Sequence, residues 1–337
     1  MTAFFMDQDA DIMTKIALIY MGGTIGCIGE PLSPMPETTF IPHLQHFLAL
    51  QPNIECFQAP VIKDSSACTA EDWLKLIQQI QSLQQQNYQH FIVLHGTDTL
   101  SYAAALLAQC LQQSCHVILT GSQYPLLNVQ GTQLREFTDA VDNINTAVQQ
   151  IERVAAGVYL AFHHQVYHAQ TAFKAHTTDL YAFRGLPAEQ SLPNHSVNPI
   201  LSVQLVHLQK VRELNILNWM IMPTERHQLE LHLHTLQTAP PHFLILQAFG
   251  TGNLAVNANI IEQFKALQQQ GCCIILATQV VLGQIDQRYA ISQWVKDAGL
   301  LLSDSATQAD LYAKIVKIYL QYPTSQQWHN HWYNHPE

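Results

Sequence analysis

The stretch Phe91-Ile92-Val93-Leu94-His95-Gly96-Thr97-Asp98-Thr99 decides the predicted fold. Its four leading apolar residues are typical of a buried strand in a parallel sheet, because both faces of such a strand are covered. Gly96 ends the strand, and the Ala- and Leu-rich segment that follows Thr99 predicts a helix. Thr97 and Asp98 thus lie at a helix start. They are either simple caps or, at the carboxyl end of a strand, part of a ligand site.

Comparable strand–turn–helix units flank this stretch on both sides, and their alternation predicts an α/β fold with a mainly parallel sheet flanked by helices. Apolar runs predict strands over residues 16–21, 91–94, 116–120, 157–162, 216–222, 243–249 and 272–277. Apolar periodicity predicts helices over residues 42–50, 100–108, 139–151, 225–236, 258–269 and 307–322, with a further helix that begins at residue 70. A short strand end is expected at residues 61–62.

The regular pattern fades between the two groups of units, where Pro193 and Pro199 lie close together. Such prolines are typical of a linker. The predicted organisation is a larger N-terminal domain over residues 14–190, a linker over residues 191–212 and a smaller C-terminal α/β domain over residues 213–337.

The overall composition argues against several classes of protein. The 337 residues carry a net charge of −10, which makes a basic face for nucleic acid unexpected. The seven cysteines are odd in number and show no CxxC spacing, so free thiols in a reducing cytoplasm are expected. The first residues contain no basic segment of a signal peptide, and no apolar run is long enough to span a membrane.

Four histidines, His163, His164, His168 and His176, lie close together and raise the question of a metal site. Their spacing matches no zinc pattern, and no acidic residue lies among them before Asp179. We therefore interpret them as polar turn residues and predict no metal.

Three further segments carry polar groups suited to a site. Gly22-Gly23-Thr24-Ile25-Gly26 follows the first strand, and its glycines permit a sharp turn and a close approach to a ligand. The proline-rich residues 27–36 predict a loop that could act as a lid. Ser65 and Ser66 precede a helix start, and Lys174 lies in a polar segment. Taken singly, these are a glycine-rich turn, turn hydroxyls and a solvated lysine.

Read together, four stretches carry a resemblance: Gly22-Gly23-Thr24-Ile25-Gly26, His95-Gly96-Thr97-Asp98-Thr99, Thr120-Gly121-Ser122-Gln123 and Phe249-Gly250-Thr251-Gly252-Asn253. With Asp64-Ser65-Ser66 and Lys174-Ala175-His176 in register, they closely resemble the bacterial-type L-asparaginases, in particular the cytoplasmic type I branch. The resemblance extends over about residues 15–322. The first stretch alone is a weak signal, whereas its combination with the second, about seventy residues later, is highly specific.

The resemblance implies an asparaginase fold. It also implies hydrolysis of the side-chain amide of L-asparagine to aspartate and ammonia, through an acyl-enzyme on a threonine and without a metal or cofactor. It assigns the nucleophile to Thr24 and a proton-handling group to Thr97, Asp98 and Lys174. The implied substrate-binding residues are Ser65, Ser66, Gly23, Gly96 and Asn253, with Asp98 also at the α-amino group. Members are usually homotetramers built as dimers of dimers, so Asn253 is expected to complete the site of a neighbouring subunit.

The chain departs from the family pattern at three places. The predicted lid loop contains no tyrosine, although the family usually has one there to orient or activate the nucleophile. We expect Glu30 or Ser33 to replace it, or the enzyme to be slow or altered in substrate. Ala67 stands where an aspartate is common. Gln247 and Val280 stand where allosterically regulated type I enzymes tend to have arginine and cysteine, which weakens the case for an effector site for asparagine.

Other functions stay open at the level of sequence. A related amidohydrolase would act on glutamine or a larger amide, and a non-catalytic amino-acid sensor would account for the absent tyrosine. The asparaginase-like subunit of archaeal tRNA amidotransferase usually carries an extra N-terminal domain, and Thr24 lies too near the first residue for one. The presence of both threonines and of Lys174 favours an enzyme.

Overall fold

The computed structural model describes residues 14–192, 199–283, 285 and 293–333. The strands are β1 Ile16–Tyr20, β2 Cys27–Ile28, β3 Ser33–Pro34, β4 Ile54–Gln58, β5 His90–Leu94, β6 His116–Thr120, β7 Gly157–Phe162, β8 Gln165–His168, β9 Phe173–Lys174, β10 Phe183–Arg184, β11 Ile216–Met220, β12 Phe243–Ala248, β13 Cys273–Thr278 and β14 Leu301–Leu302. The helices are α1 Glu37–Phe47, α2 Ala70–Gln84, α3 Leu100–Leu111, α4 Ala140–Gln150, α5 Leu205–Val211, α6 Arg226–Leu236, α7 Ala258–Gln269, α8 Gln293–Asp297, α9 Gln308–Gln321 and α10 Ser325–Asn330.

The larger sheet has six strands in the order β4-β1-β5-β6-β7-β8. Its first five strands are parallel, and β8 runs antiparallel to β7 at the edge. The apolar run that opens β5 is fully buried, as expected for a strand with helices on both faces. The predicted α/β fold with a mainly parallel sheet is confirmed.

A second, four-stranded sheet has the order β11-β12-β13-β14, and all its strands are parallel. It follows the larger sheet in the chain, which fits the predicted two-part organisation, while the domain boundaries themselves remain a prediction. The two parts share one apolar core, because buried residues of α3, α9 and the second sheet belong to the same cluster.

Helix α9, from the second part, packs along α3, from the first. Buried polar groups fix this contact: Gln109 Nε2 donates to Asp310 Oδ1 at 2.8 Å, and Lys317 Nζ donates to the Gln109 carbonyl at 2.6 Å. Since α3 begins at Leu100, two residues after Asp98, the second part of the chain packs against the helix that follows the predicted site.

Three expectations about local structure were wrong. Helix α1 begins at Glu37 instead of Pro42, which lies inside it. The strand near residues 61–62 is in fact β4, an edge strand whose partly exposed, alternating side chains hide its apolar character. The predicted lid loop contains the short antiparallel pair β2–β3, in which prolines are tolerated because the pair is isolated from the sheets.

The predicted linker contains α5, a helix that the sequence pattern did not predict. This helix has only seven residues, too few for an apolar period to stand out, yet Leu208 and Val211 are buried. The segment before it is held by Gln81 of α2, which donates to the Leu201 carbonyl at 2.8 Å and accepts from the Val203 N–H at 3.1 Å.

Across the part of the chain that the structure describes, no helix has the length and apolar character that a membrane span requires. The cysteines are all unpaired. His163 and His164 have positive φ angles of 46° and 62° in the turn between β7 and β8, in agreement with their interpretation as turn residues.

Candidate active site

The site is built where the carboxyl ends of three neighbouring strands meet. Strand β1 lies between β4 and β5, with Tyr20 opposite Gln58 on one side and Leu94 on the other. The turns that follow these strands therefore emerge at one edge of the sheet, which is where open parallel sheets bind ligands.

Two glycines allow the turns after β1 and β5 to touch. Gly23 has φ of 94°, and a Cβ atom placed on it would lie 2.5 Å from the Cα atom of Gly96. A Cβ atom on Gly96 would in turn lie 2.4 Å from the Ser65 hydroxyl oxygen. Larger side chains are thus excluded at both positions, and three segments distant in sequence are brought into contact beside Thr24.

Lys174 joins the residues that follow β5. Its Nζ atom donates to Thr97 Oγ1 and to Asp98 Oδ1, each at 2.9 Å. Strand β9, paired with β10, carries Lys174 to this position. The Lys174 side chain is 21% exposed and that of Asp98 is 61% exposed, so the pair opens to solvent on the Asp98 side. The interpretation of Lys174 as a solvated lysine was wrong.

Of the two predicted serines, Ser65 packs against Gly96. Ser65 is buried, and its carbonyl accepts from Thr99 Oγ1 at 2.8 Å. Ser66 is exposed and donates to Asp64 Oδ1 twice, from its N–H at 2.8 Å and from its hydroxyl at 2.5 Å. These hydrogen bonds hold the pKa of Asp64 below its usual value.

Asp64 and Thr99 have roles in the site that were not predicted from the sequence. Asp64 orients the hydroxyl of Ser66, and Thr99 fixes the backbone of Ser65 from 34 residues away in sequence. The Asp–Ser–Ser pattern offered a signal for the first, because aspartate readily accepts from the N–H two residues on. The contact of Thr99 depends on strand order and left no local signal.

Thr24 begins a short 3₁₀ turn, Thr24–Gly26, and is half-buried. Within the described ranges, its hydroxyl makes no hydrogen bond. Neither Glu30 nor Ser33 is hydrogen-bonded to it there, and the Ser33 hydroxyl donates instead to the Ile28 carbonyl at 3.4 Å. The expectation that Glu30 or Ser33 takes the place of the absent tyrosine therefore remains a prediction.

Asn253 lies in the turn after β12, away from the group around Lys174. Its N–H donates to the Phe249 carbonyl at 2.8 Å, and its side chain is exposed. Among described residues of this chain, Asn253 has no hydrogen bond to any other predicted site residue, so a role in a neighbouring subunit stays a prediction.

A cleft of about 410 Å³ separates Lys174 from the carboxyl edge of the second sheet. Gln247 and Val280 line it, and Gln247 Nε2 donates to Asn218 Oδ1 at 2.6 Å. Thr24 and the two serines are not among the residues that line it. The cleft is thus adjacent to the predicted catalytic group without enclosing the predicted nucleophile.

Within the described part of the chain, no group of three or more His, Cys, Asp or Glu side chains could hold a metal ion. The chemistry that the site offers is that of hydroxyls, one carboxylate–lysine pair and exposed backbone N–H groups.

Known proteins with similar sequences identify the family to which this chain belongs. The family model Asparaginase, N-terminal, matches residues 15–197, more than half of the chain. L-asparaginase of Dirofilaria immitis is 31% identical over 261 residues, which are 74% of this chain and 42% of that protein. The chain belongs to the asparaginase family, whose members are amidohydrolases.

Two further similarities refine this assignment. L-asparaginase 1 of Escherichia coli (strain K12) is 27% identical over 318 residues, which are 85% of this chain and 86% of that protein. The crystal structure of L-asparaginase I from Vibrio cholerae shares the fold, with a TM-score of 0.75 at 22% identity, covering 96% of this chain and 98% of the other. The predicted resemblance to the bacterial type I branch is confirmed.

Proposed function

We propose that this protein is an L-asparaginase that hydrolyses L-asparagine to L-aspartate and ammonia through an acyl-enzyme on Thr24. One observation carries the proposal. Lys174 Nζ lies 2.9 Å from both Thr97 Oγ1 and Asp98 Oδ1, next to the Gly23–Gly96 contact that places Thr24 at the same edge of the sheet.

In the proposed reaction, Thr24 Oγ1 attacks the side-chain amide carbon of asparagine. The hydroxyl loses its proton, the carbon–nitrogen bond breaks, and ammonia leaves with an added proton. The resulting ester on Thr24 is then hydrolysed by water, which yields aspartate and restores the hydroxyl. A threonine hydroxyl is a weak nucleophile at neutral pH, so this scheme requires a neighbouring group that handles the proton.

Thr97, Asp98 and Lys174 form that proton-handling group in our proposal. Lys174 donates to both partners, so the Thr97 hydroxyl keeps its own proton available for a third partner. Burial of Thr97 limits competition from water for that hydrogen bond. In our proposal the Asp98 carboxylate accepts the proton that Thr24 loses, and Lys174 returns a proton to the departing ammonia.

The polar groups around Gly96 match a small zwitterion. The Asp98 carboxylate is 61% exposed and can accept from an α-ammonium group. The Ser65 hydroxyl makes no hydrogen bond within the described residues and can donate to the α-carboxylate, whereas Ser66 would contact the α-carboxylate only by giving up its hydrogen bonds to Asp64. The negative charge that develops on the amide oxygen needs N–H donors, and those of Thr24 and Thr97 have no acceptor among the described residues. One such donor typically lowers a barrier by about 3–4 kcal/mol.

We further propose a cytoplasmic location and a homotetramer, built as a dimer of dimers, in which Asn253 reaches the site of a neighbouring subunit. The unpaired cysteines support a reducing compartment. The exposure of Asn253 leaves it available to a partner.

The direct test is ammonia release by the purified full-length chain from L-asparagine and, separately, from L-glutamine. We expect turnover that is faster with asparagine, and a loss of at least about 10²-fold in the Thr97→Ala variant. No wild-type activity above that of the variant with either amide would contradict the proposal. Activity with glutamine alone would transfer the function to a related amidohydrolase.

A second candidate function is non-catalytic recognition of an amino acid. The absence of a tyrosine from residues 27–36 and the unpartnered hydroxyl of Thr24 within the described ranges favour it. A thermal shift with aspartate but no turnover of asparagine would select this function over the enzyme.

A further inference from the structure

We propose that His95, held by Trp73, is a positioning residue for the reaction: it orients the Gly96–Thr97 peptide so that the Thr97 N–H points to the substrate's amide oxygen. The inference rests on the proposed function, since it assigns an oxyanion donor and its support. His95 itself touches neither the substrate nor the reacting atoms in this scheme.

The position of His95 in the fold is the first observation. It follows β5 directly, is 1% exposed, and its N–H donates to the Thr120 carbonyl of β6 at 2.8 Å. Its ring points inward, with Nε2 3.0 Å from Trp73 Nε1 of α2 and Nδ1 2.8 Å from the Gly96 carbonyl oxygen. The His95 ring thus links helix α2 to the Gly96–Thr97 peptide of the site.

The two contacts together fix the tautomer of the ring. An indole N–H can only donate, so Nε2 of His95 must accept and carries no proton. The proton of the neutral ring is therefore on Nδ1, which donates to the Gly96 carbonyl. Burial lowers the pKa of His95 to about 4, so the ring stays neutral at physiological pH and this pattern is retained.

The planar peptide transmits the constraint to Thr97. The Gly96 carbonyl and the Thr97 N–H belong to one trans peptide and point in opposite directions. With the carbonyl turned inward to His95, the N–H is directed away from the core. It meets no acceptor in the described part of the chain.

Contacts on Gly96 limit the movement of the peptide on the side away from His95. Gly23 and Ser65 pack so closely on it that a Cβ atom there would come within 2.4 Å of the Ser65 hydroxyl oxygen. His95 is thus the one described side chain that donates to the Gly96 carbonyl, while its neighbours hold the peptide from the other side. Loss of the Nδ1 proton donor would free the carbonyl and let the Thr97 N–H tilt from its direction.

Two substitutions of His95 distinguish the role of Nδ1 from that of Nε2. In His95→Asn the side-chain amide can place its NH₂ group where Nδ1 lies, whereas in His95→Gln the amide reaches the position of Nε2. We expect kcat with asparagine to fall by about 10²-fold in His95→Gln and by less than about tenfold in His95→Asn. KM should change by less than about threefold in both, because the α-amino and α-carboxylate groups are bound by side chains and not by the Thr97 N–H.

A second pair of variants tests the role of Trp73 with a matched control. Trp73→Phe removes the donor to Nε2 and keeps an aromatic ring, and we expect kcat to fall by about tenfold. Trp328→Phe removes a comparable buried donor, whose Nε1 lies 2.8 Å from the Tyr322 carbonyl oxygen remote from the site, and should leave kcat unchanged. Circular dichroism and thermal unfolding confirm that each variant is folded.

The outcomes separate the inference from the proposed function. If the wild type hydrolyses asparagine and kcat falls equally in His95→Asn and His95→Gln, the inference is overturned and the proposed function stands. The same holds if kcat falls in neither variant. If neither His95 variant folds, equal kcat values for Trp73→Phe and Trp328→Phe overturn it. Absence of wild-type turnover overturns the proposed function, and the inference with it.

Discussion

The turns after β1 and β5 each present one threonine of the site, yet they are constructed in different ways. Thr97, after β5, is buried, accepts a hydrogen bond from Lys174 at 2.9 Å and is backed by the ring of His95. Thr24, after β1, is half-buried, and no hydrogen bond to its hydroxyl exists within the described residues. It leads into the partly exposed pair β2–β3 rather than into a buried helix.

This difference shows that one half of the site is organised by the fold before any ligand binds. The turn after β5 is followed by α3, which is buried along almost its whole length and packed against α9. The turn after β1 has glycines at Gly22 and Gly23 and a hairpin beyond them. In the proposed enzyme, the proton-handling group is therefore preorganised, whereas the nucleophile takes its hydrogen-bond partner from the substrate.

The largest effects are expected when the hydroxyls of Thr24 and Thr97 are removed in turn. Thr24→Val should lower kcat by at least about 10⁴-fold, because no acyl-enzyme can form, and Thr97→Val by about 10²–10³-fold. Ammonia release measures both, and mass spectrometry of quenched Thr97→Val should find the adduct on Thr24.

The control for this pair is Thr235→Val, which removes an exposed threonine hydroxyl from α6 and should leave turnover intact. A larger loss in Thr97→Val than in Thr24→Val, or an adduct on Thr97, would reverse the two roles.

The next largest effect is expected from Lys174→Met, which removes the donor to Thr97 and Asp98. We expect kcat to fall by about 10²-fold while thermal stability changes little, because partly exposed ion pairs contribute at most about 1 kcal/mol. Lys314→Met is the matched control: Lys314 pairs with Asp304 at 2.6 Å, with side chains 12% and 55% exposed. Equal activity of the two variants would remove Lys174 from the proton-handling group.

The close contact between the two turns can be tested with Gly23→Ala. A Cβ atom there would meet Gly96 at 2.5 Å on a backbone with φ of 94°, so we expect destabilisation of about 4 kcal/mol together with loss of activity. Gly299→Ala shares a positive φ of 65° but meets nothing closer than 3.7 Å, and should cost about 1 kcal/mol. Urea unfolding measures both, and similar values would mean that the turns can separate without loss.

The smallest effect concerns the pH dependence that His95 adds to the turn after β5. Its pKa of about 4 in the folded chain lies below the ordinary value of about 6.5. Between these values the unfolded chain binds a proton that the folded chain excludes, so stability should fall as pH drops. From pH 7 to pH 4.5, wild type should lose about 2 kcal/mol more than His95→Asn in urea unfolding. Equal losses would show that the ring accepts a proton in the folded state.

The central strands could be predicted from the sequence, and the strands at the sheet edges could not. β5, β6 and β12 are apolar runs buried on both faces, so composition alone marks them. β4 and β8 carry partly exposed polar side chains at sheet edges and resemble loops in sequence. The same reasoning explains why α5 was missed: seven residues hold too few turns to establish a period.

For the candidate site, the sequence determined which residue types follow each strand: Gly-Gly-Thr after β1, Ser-Ser after β4 and Gly-Thr-Asp after β5. Only the tertiary structure decided which of these meet, because the sheet order β4-β1-β5 is not the chain order. Lys174 reaches Thr97 across 77 residues through the β9–β10 pair, a contact that no local pattern encodes. The partnership of Trp73 with His95 likewise depends on packing between a helix and a strand, since a single buried histidine gives no sign in sequence of the donor it faces.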